Sequence, residues 1–419
     1  MNDIVDDLFR RTSGHIVSTL TRILGARHLA LAEEVAQDAL VKALQTWPFD
    51  GVPDNPSAWL IQVAKRRAFD RLRRDQWLAD RAPLLASVFA VGPEPGRSAP
   101  PDVRLRGEPA MPDDDRLAMM FLACHPSLPR EARVALTLKT VCGFGVGEIA
   151  RALLSSDDAI AQRLVRAKRQ LRDENVAFEL QPAEYAERLE SVLDVLYLMF
   201  NEGYTAHAGE NLIRAELCTE AVRLTSLLVP VTTVATPAVH ALLALMLLQA
   251  ARLPARVGDA ANLLRIDEQD RARWDRSMIA RGIDHLDRSA AGESVTSYHL
   301  EAGIAACHAA AARYEDTDWA RIVELYDMLA AVNPTPVVRL NRAIAISRAG
   351  GAAAGLSALD DVIDQPALQR YYLLPATLGE FSRDLGDSAR AAEHYRAALA
   401  CECSEPERRF LERRLSELT

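Results

Sequence analysis

The stretch from Pro129 to Glu174 constrains this chain more than any other: PREARVALTLKTVCGFGVGEIARALLSSDDAIAQRLVRAKRQLRDE. Its apolar residues recur at helical spacing, broken at Gly143-Phe144-Gly145 and again at Ser155-Ser156. The pattern predicts a long helix, a short helix from Val146 to Leu154, and a third helix rich in Arg and Lys. The last two have the proportions of a helix-turn-helix, whose second helix enters a DNA major groove. Ser156, with Asp157 and Asp158, caps that second helix. Ile160, Leu164, Ala167 and Leu171 follow i, i+4, i+7, i+11 and form its buried stripe. Gln162 and Arg163 are then placed to reach base edges, with Arg166, Lys168, Arg169 and Arg172 for phosphates. A generic amphipathic helix with a basic face has the same pattern, so this stretch does not decide alone.

The charge is uneven. Residues 1–175 carry 25 Lys and Arg against 23 Asp and Glu, whereas the remainder carries 24 against 35. DNA contact is therefore expected in the front half only, and the net charge of −9 excludes a non-specific DNA coat. The longest apolar run, Ala241 to Leu248, is far short of the roughly 20 residues that span a bilayer. The first residues, MNDIVDDLFRR, lack a signal-peptide core, so a cytoplasmic location is expected. Cys124, Cys142, Cys218, Cys307, Cys401 and Cys403 form no CxxC pair and are expected to be reduced structural thiols. Neither a metal nor a cofactor is expected, and no Gly-rich phosphate loop or nucleophile elbow points to an enzyme.

Two helices precede the organising stretch, at about Asp6–Leu24, closed by Gly25, and Leu29–Trp47, stopped by Pro48. In the second, Leu31, Val35, Ala39 and Leu44 are expected to face a core. Glu34, Gln37, Asp38, Val41 and Lys42 are expected on its other sides. Phe49 to Pro56 reads as a loop. Asn55-Pro56-Ser57 then caps a third helix, which carries Trp59 and six cations within ten residues: Lys65, Arg66, Arg67, Arg71, Arg73 and Arg74. A solvated helix face is the plain reading of such a run. The adjoining loop and Trp59 add single-strand DNA contact, in which an aromatic ring stacks a base while cations hold phosphates. Residues 81–112, rich in Pro and Gly, read as a tether. Beyond 183 the chain reads helical throughout, with a strongly apolar helix from Pro237. A break is expected at Asn201–Tyr204, and interlocking ion pairs at helix ends in DEQDRARWDR, Asp267 to Arg276. From about residue 295 a period of roughly 35 residues has its clearest copy at Leu378-Gly379, Leu385-Gly386-Asp387, Ala391, Tyr395 and Ala398, which resembles a tetratricopeptide (TPR) repeat.

Taken together, AEEVAQDALVKALQTWP, NPSAWLIQVAKRRAFDRLRR and GEIARALLSSDDAIAQRLVRAKRQLR resemble a bacterial RNA polymerase sigma factor of the extracytoplasmic-function (ECF) type. FNEGY, EAVRL, ALLALMLLQAAR, EQDRARWD and CHPSLPREARVALTLKT look like the group with a long helical, TPR-containing C-terminal extension. This group is distinct from the one with a SnoaL-like α+β extension. The resemblance implies an all-α chain: sigma region 2 at 1–80, a linker at 81–112 and region 4 at 113–178. A helical extension follows at 179–290 and TPR-like repeats at 291–419. It implies promoter-specific initiation with no catalysis. Glu34, Gln37, Asp38, Val41 and Trp47 would meet the polymerase clamp helices. Trp59, Lys65, Arg66, Arg67, Arg71 and Arg74 would hold the −10 element; Ser156, Gln162, Arg163, Arg166, Lys168 and Arg169 would read the −35 element. Many family members carry Asn where this chain has Arg66, which puts base preference there in question. Implied partners are the core polymerase (clamp helices and flap), promoter DNA and a small DGPF-type protein or other regulator at the TPR-like end, with no membrane. A stand-alone helix-turn-helix regulator with a TPR sensor is the alternative. It needs neither the Glu34–Trp47 helix nor the basic helix at 57–76.

Overall fold

The computed structural model describes residues 2–74, 114–204 and 214–418, less 154, 175, 179, 257, 259–263, 293, 361 and 370; the side chains of residues 2–11, Arg74 and Pro182 are also outside the description. The tether expected at 81–112 lies outside the described residues. Among those described, every regular element is helical, and one isolated bridge joins Tyr371 to Glu402. The chain divides into two units, one of residues 1–195 with 231–233, the other of 196–230 with 234–419.

The first unit opens with α1 (Asn2–Leu24), α2 (Leu29–Asp50) and α3 (Pro56–Arg74). Gly25, at φ 87°, turns the chain between α1 and α2, a conformation that costs glycine least. Helix α2 does not stop at Pro48. The proline removes one backbone donor, and the helix continues to Asp50, where Gly51 at φ 84° closes it by donating to the Trp47 carbonyl at 3.0 Å. The buried side of α2 is Leu29, Ala32, Val35, Ala36, Ala39, Leu40, Ala43 and Trp47. Val35 and Ala39 match the expectation, whereas Leu31 is only half-buried and Leu44 is exposed. Ala32, Ala36 and Ala43, not expected inside, are buried where α2 packs on α1 and α3. Asn55 caps α3, accepting from the Ala58 amide at 3.0 Å.

Four further helices follow: α4 (Asp115–Ala123), α5 (Arg130–Thr140), α6 (Val146–Ala152) and α7 (Asp157–Asp173). The first two pack directly on α1. Gly14 of α1 lies under the Val141 carbonyl just past α5, where a β-carbon would come within 1.9 Å of the oxygen. Arg116 of α4 donates to that same carbonyl at 2.8 Å. Asp115 accepts from Thr19 at 2.7 Å and pairs with Arg22 at 2.9 Å. The two modules expected on either side of a tether thus share one core.

Helix α8 (Pro182–Tyr204) belongs to this unit up to Val195. Arg188 is the reason: its side chain is buried, donates to the Phe121 carbonyl at 3.1 Å and pairs with Glu184 at 2.7 Å. Arg133 reaches Ser191 at 3.2 Å, and Arg130 reaches Asp194 at 2.7 Å. The helix also runs through Asn201–Tyr204, where a break was expected.

The second unit continues with α9 (Ala215–Leu228), α10 (Pro237–Ala250), α11 (Leu253–Arg256) and α12 (Arg276–Ser289). Helix α10 is buried nearly all round and forms the centre of this part. In DEQDRARWDR the acids act chiefly as caps: Asp270 caps the short turn at Arg271–Arg273, and Asp275 caps α12. Arg271 is buried and donates to the carbonyls of His308 at 2.7 Å and Ala311 at 2.6 Å. The expected ion pairs are made by Arg265 with Asp267 at 3.1 Å and by Glu268 with Arg413 at 3.3 Å.

The remaining helices are α13 (Ser297–Ala310), α14 (Trp319–Val332), α15 (Pro336–Gly350), α16 (Ala352–Ser357), α17 (Leu373–Asp384), α18 (Ser388–Leu399) and α19 (Glu405–Ser416). Gly351 and Gly386, at φ 92° and 82°, mark two of the expected turns. Helices α17 and α18 cross where Gly379 faces the Tyr395 ring. A β-carbon at 379 would sit 2.7 Å from that ring. Ala391, Tyr395 and Ala398 are fully buried, and the Tyr395 hydroxyl donates to Glu380 at 2.5 Å. Between α16 and α17, the described residues from 358 to 372 form turns and one bridge rather than a second helix, which interrupts the period.

Gly379→Ala is expected to cost about 1–3 kcal/mol by overpacking against Tyr395, read as a lower thermal midpoint. A second prediction concerns Glu301, which accepts from the Tyr197 hydroxyl at 2.8 Å. Burial raises its carboxyl from 4.5 to about 7. Between those values the unfolded chain releases this proton while the folded chain keeps it, so stability falls as pH rises. Glu301→Gln should raise stability above pH 7 by up to about 3 kcal/mol and leave it nearly unchanged below pH ~4.5, measured by thermal melts across pH.

Candidate nucleic-acid interface

Helix α7 is built from its buried stripe outward. Ile160, Leu164, Ala167 and Leu171 are all buried, as their spacing requires. The Ser156 side chain is spent on the cap, accepting from the Ala159 amide at 3.3 Å. Opposite the stripe lie Ala161, Gln162, Val165, Arg166, Arg169 and Arg172, all exposed. Val165 is 68% exposed, unusual for a β-branched apolar residue on a helix that otherwise buries its apolar side. It was not among the expected contacts, although it falls off the 160/164/167/171 stripe and so had to face out.

Two expected DNA contacts point elsewhere. Arg163 turns back onto Glu131 of α5 at 2.6 Å and is only 23% exposed. Lys168 forms an ion pair with Glu33 of α2. Arg166 and Arg169 remain on the open face: Arg166 reaches the Gln162 carbonyl of its own helix at 3.4 Å, and Arg169 pairs loosely with Asp173 at 3.5 Å.

Helix α3 buries Leu60, Ala64, Ala68, Phe69 and Leu72. Trp59 is half-buried, its ring 5.5 Å from the Trp47 ring at 59°. Trp47 itself is buried, so it is not the surface residue expected; it supports Trp59 from below. Arg67 pairs with Asp38 at 2.9 Å, and Arg71 with Glu34 at 2.6 Å and Asp38 at 3.6 Å. Residues assigned to two different partners therefore meet each other between α2 and α3. Lys65 and Arg66 make no such pair among the described residues, and Arg66 is exposed. The Arg74 side chain lies outside the described residues. On α2, Gln37, Val41 and Leu44 form an exposed stripe, and Val41 is 51% exposed. In the last turn of α2, Phe49 is 87% exposed beside the Gly51–Asn55 loop.

Among the described residues, no three His, Cys, Asp or Glu converge as ligands would. Burial raises the Cys124 thiol to about 12 and lowers the neighbouring His125. No helix of the described residues is long and apolar enough to cross a membrane.

Comparison with known proteins matches residues 8–78 to sigma-70 region 2, residues 118–171 to sigma-70 region 4, and residues 188–290 to a family of unknown function, DUF6596. An uncharacterised protein of Rhizobium meliloti (strain 1021) is 36% identical over 409 residues, covering 96% of this chain and 95% of its own length. A probable RNA polymerase sigma factor, RfaY of Xanthomonas campestris, is 31% identical over 161 residues, 38% of each chain. A probable ECF RNA polymerase sigma factor, SigI of Mycobacterium tuberculosis, is 24% identical over 184 residues, 44% of this chain and 60% of its own.

The Glu33–Lys168 pair joins α2 to α7, with both side chains at most about a quarter exposed. A double-mutant cycle of Glu33→Gln and Lys168→Met in thermal denaturation should show a coupling of about 1–2 kcal/mol. Additive effects would mean that the pair does not hold the helices together.

Proposed function

The chain belongs to the ECF-type RNA polymerase sigma factors, with sigma-70 regions 2 and 4 and a C-terminal extension of unknown function, and from that premise we propose which residues meet polymerase and promoter. A sigma factor is not an enzyme; it lends sequence recognition to the core polymerase. The observation that carries the assignment is the presence, in one chain, of a helix-turn-helix with an open basic face and a second basic helix beside Trp59.

In this reading the exposed Gln37, Val41 and Leu44 stripe of α2 docks on the clamp helices, flanked by Glu34 and Asp38. Exposed apolar side chains in line on a charged helix are a usual mark of a partner surface. Trp47 acts indirectly, through Trp59. The loop at residues 51–55 and Trp59 receive an unpaired base of the −10 element. Flipping that base costs a few kcal/mol, which phosphate contacts by Lys65 and Arg66 offset. Arg67 and Arg71 join them by exchanging Asp38 and Glu34 for phosphates, and Arg74 extends the same run.

On α7 the −35 element meets Gln162, Val165, Arg166 and Arg169. Gln pairs with adenine, and an apolar side chain contacts a thymine methyl. Arg163 and Lys168 support this face from its edges, and Ser156 fixes the helix start. The domain plan remains region 2 at 1–80, linker at 81–112, region 4 at 113–178, extension at 179–290 and TPR-like repeats at 291–419. The Gly379–Tyr395 crossing supports the last assignment. A small DGPF-type protein or another regulator would dock on those repeats, and the whole acts in the cytoplasm.

Run-off transcription with purified core polymerase tests the assignment. Val41→Glu with Leu44→Glu should lower core binding by at least about tenfold, or about 1.4 kcal/mol, while leaving the fold intact. Arg166→Ala should weaken all promoters alike and reduce the salt dependence by about one counterion. Gln162→Ala should change the −35 preference by about 1–3 kcal/mol. Unchanged core binding in the first variant, or identical effects of the last two, would refute the surface assignment.

A further inference from the structure

The second unit contains a cavity of about 280 Å³ that no assigned role uses. Aromatic side chains from separate elements line it: Tyr314, Trp319 of α14, Tyr372, Phe381 of α17 and Phe410 of α19. Ile266 and, from α15, Ile344 add apolar lining. The volume approaches that of small-molecule pockets, which combine apolar walls with a few placed polar groups.

The polar groups are unequal. Glu380 accepts from the Tyr395 hydroxyl at 2.5 Å and is surrounded by Arg265, by Arg383 at 2.9 Å and by Arg414 at 3.3 Å. Those cations keep its carboxyl below the usual range despite burial. Glu407 accepts from the Tyr372 hydroxyl and from Ser404, amide at 2.8 Å and hydroxyl at 2.7 Å. Arg265 is occupied by Glu380 and Asp267. Arg348 differs. Among the described residues its nearest paired carboxylate, Asp384, stands 4.0 Å away, beyond hydrogen-bonding distance, and its side chain is only 25% exposed. An aromatic space whose carboxylates are already satisfied, next to an under-paired guanidinium, selects an apolar anion. A cation would meet no unpaired carboxylate among the described lining residues.

We propose that this cavity binds a small, flat, apolar molecule bearing one negative charge, of the aromatic carboxylate class, with its anion on Arg348 and its rings between Trp319, Phe381 and Phe410. The occupant touches Ile266 on one side and α15, α17 and α19 on the other. It therefore ties the 265–266 segment to the terminal helices, which makes the second unit a candidate ligand sensor.

The test titrates the full chain with 2-naphthoate, followed by calorimetry and by tryptophan fluorescence. A Trp319→Phe variant assigns the optical signal. The expected result is saturable one-to-one binding that stabilises the protein to heat. Arg348→Gln should weaken binding by about tenfold or more, as should replacing the carboxylate with a methyl group (2-methylnaphthalene). Ala376→Phe, which fills the cavity, should abolish binding. If that variant fails to fold by circular dichroism, the Arg348→Gln comparison decides. Absence of saturable binding would overturn the proposal. So would equal affinity in wild type and Arg348→Gln, or equal affinity for the two naphthalenes.

Discussion

What α7 can offer a DNA groove depends on the burial of four side chains. Ile160, Leu164, Ala167 and Leu171 pack inward, and this sets the rotation of the helix. Each stands about a hundred degrees per residue from its neighbours in sequence, so fixing the stripe fixes every other position. Gln162, Val165, Arg166 and Arg169 face out as a consequence. Arg163 and Lys168 fall at the borders, where Glu131 and Glu33 meet them. The same logic governs α3, whose buried Leu60, Ala64, Ala68 and Leu72 leave Arg66 open and turn Arg67 and Arg71 toward α2.

The first unit therefore stores several cations against its own acids. Arg67, Arg71, Arg163 and Lys168 each face a carboxylate of a neighbouring helix. The Arg67 and Arg71 pairs, with side chains 34–52% exposed, contribute little to stability singly, so phosphates can replace those carboxylates at small cost. What holds the unit is the packing beneath: Gly14 under the Val141 carbonyl, Asp115 on Thr19 and Arg22, and the buried Arg188 on Phe121.

Much of this was legible in the sequence. The stripe of α7, the Ser156 cap and the Gly25 turn follow from spacing and local chemistry alone, and all three appear in the structure. The misreadings have one cause. Spacing identifies a helix but not the depth at which a neighbour meets it. Leu44 was expected inside, yet Ala43 and Trp47 take the close contact and leave Leu44 out. Trp47 was expected at the surface from the family resemblance, which likewise says nothing of how deeply α3 covers it. Pro48 and Asn201–Tyr204 look like breaks, but surrounding packing carries both helices through. Long-range pairs such as Lys168 with Glu33 leave no periodic trace, and neither does a cavity assembled from Tyr314, Trp319, Tyr372 and Phe410.

Every −35 contact depends on the rotation of α7, and photocrosslinking measures that rotation directly. A benzophenone amino acid is placed in turn at 163 and at 165, and each protein is assembled with core polymerase on promoter DNA. The rotation fixed by the buried stripe predicts strong crosslinks to the −35 element from 165 and few or none from 163. Crosslinks from 163 with none from 165 would contradict it.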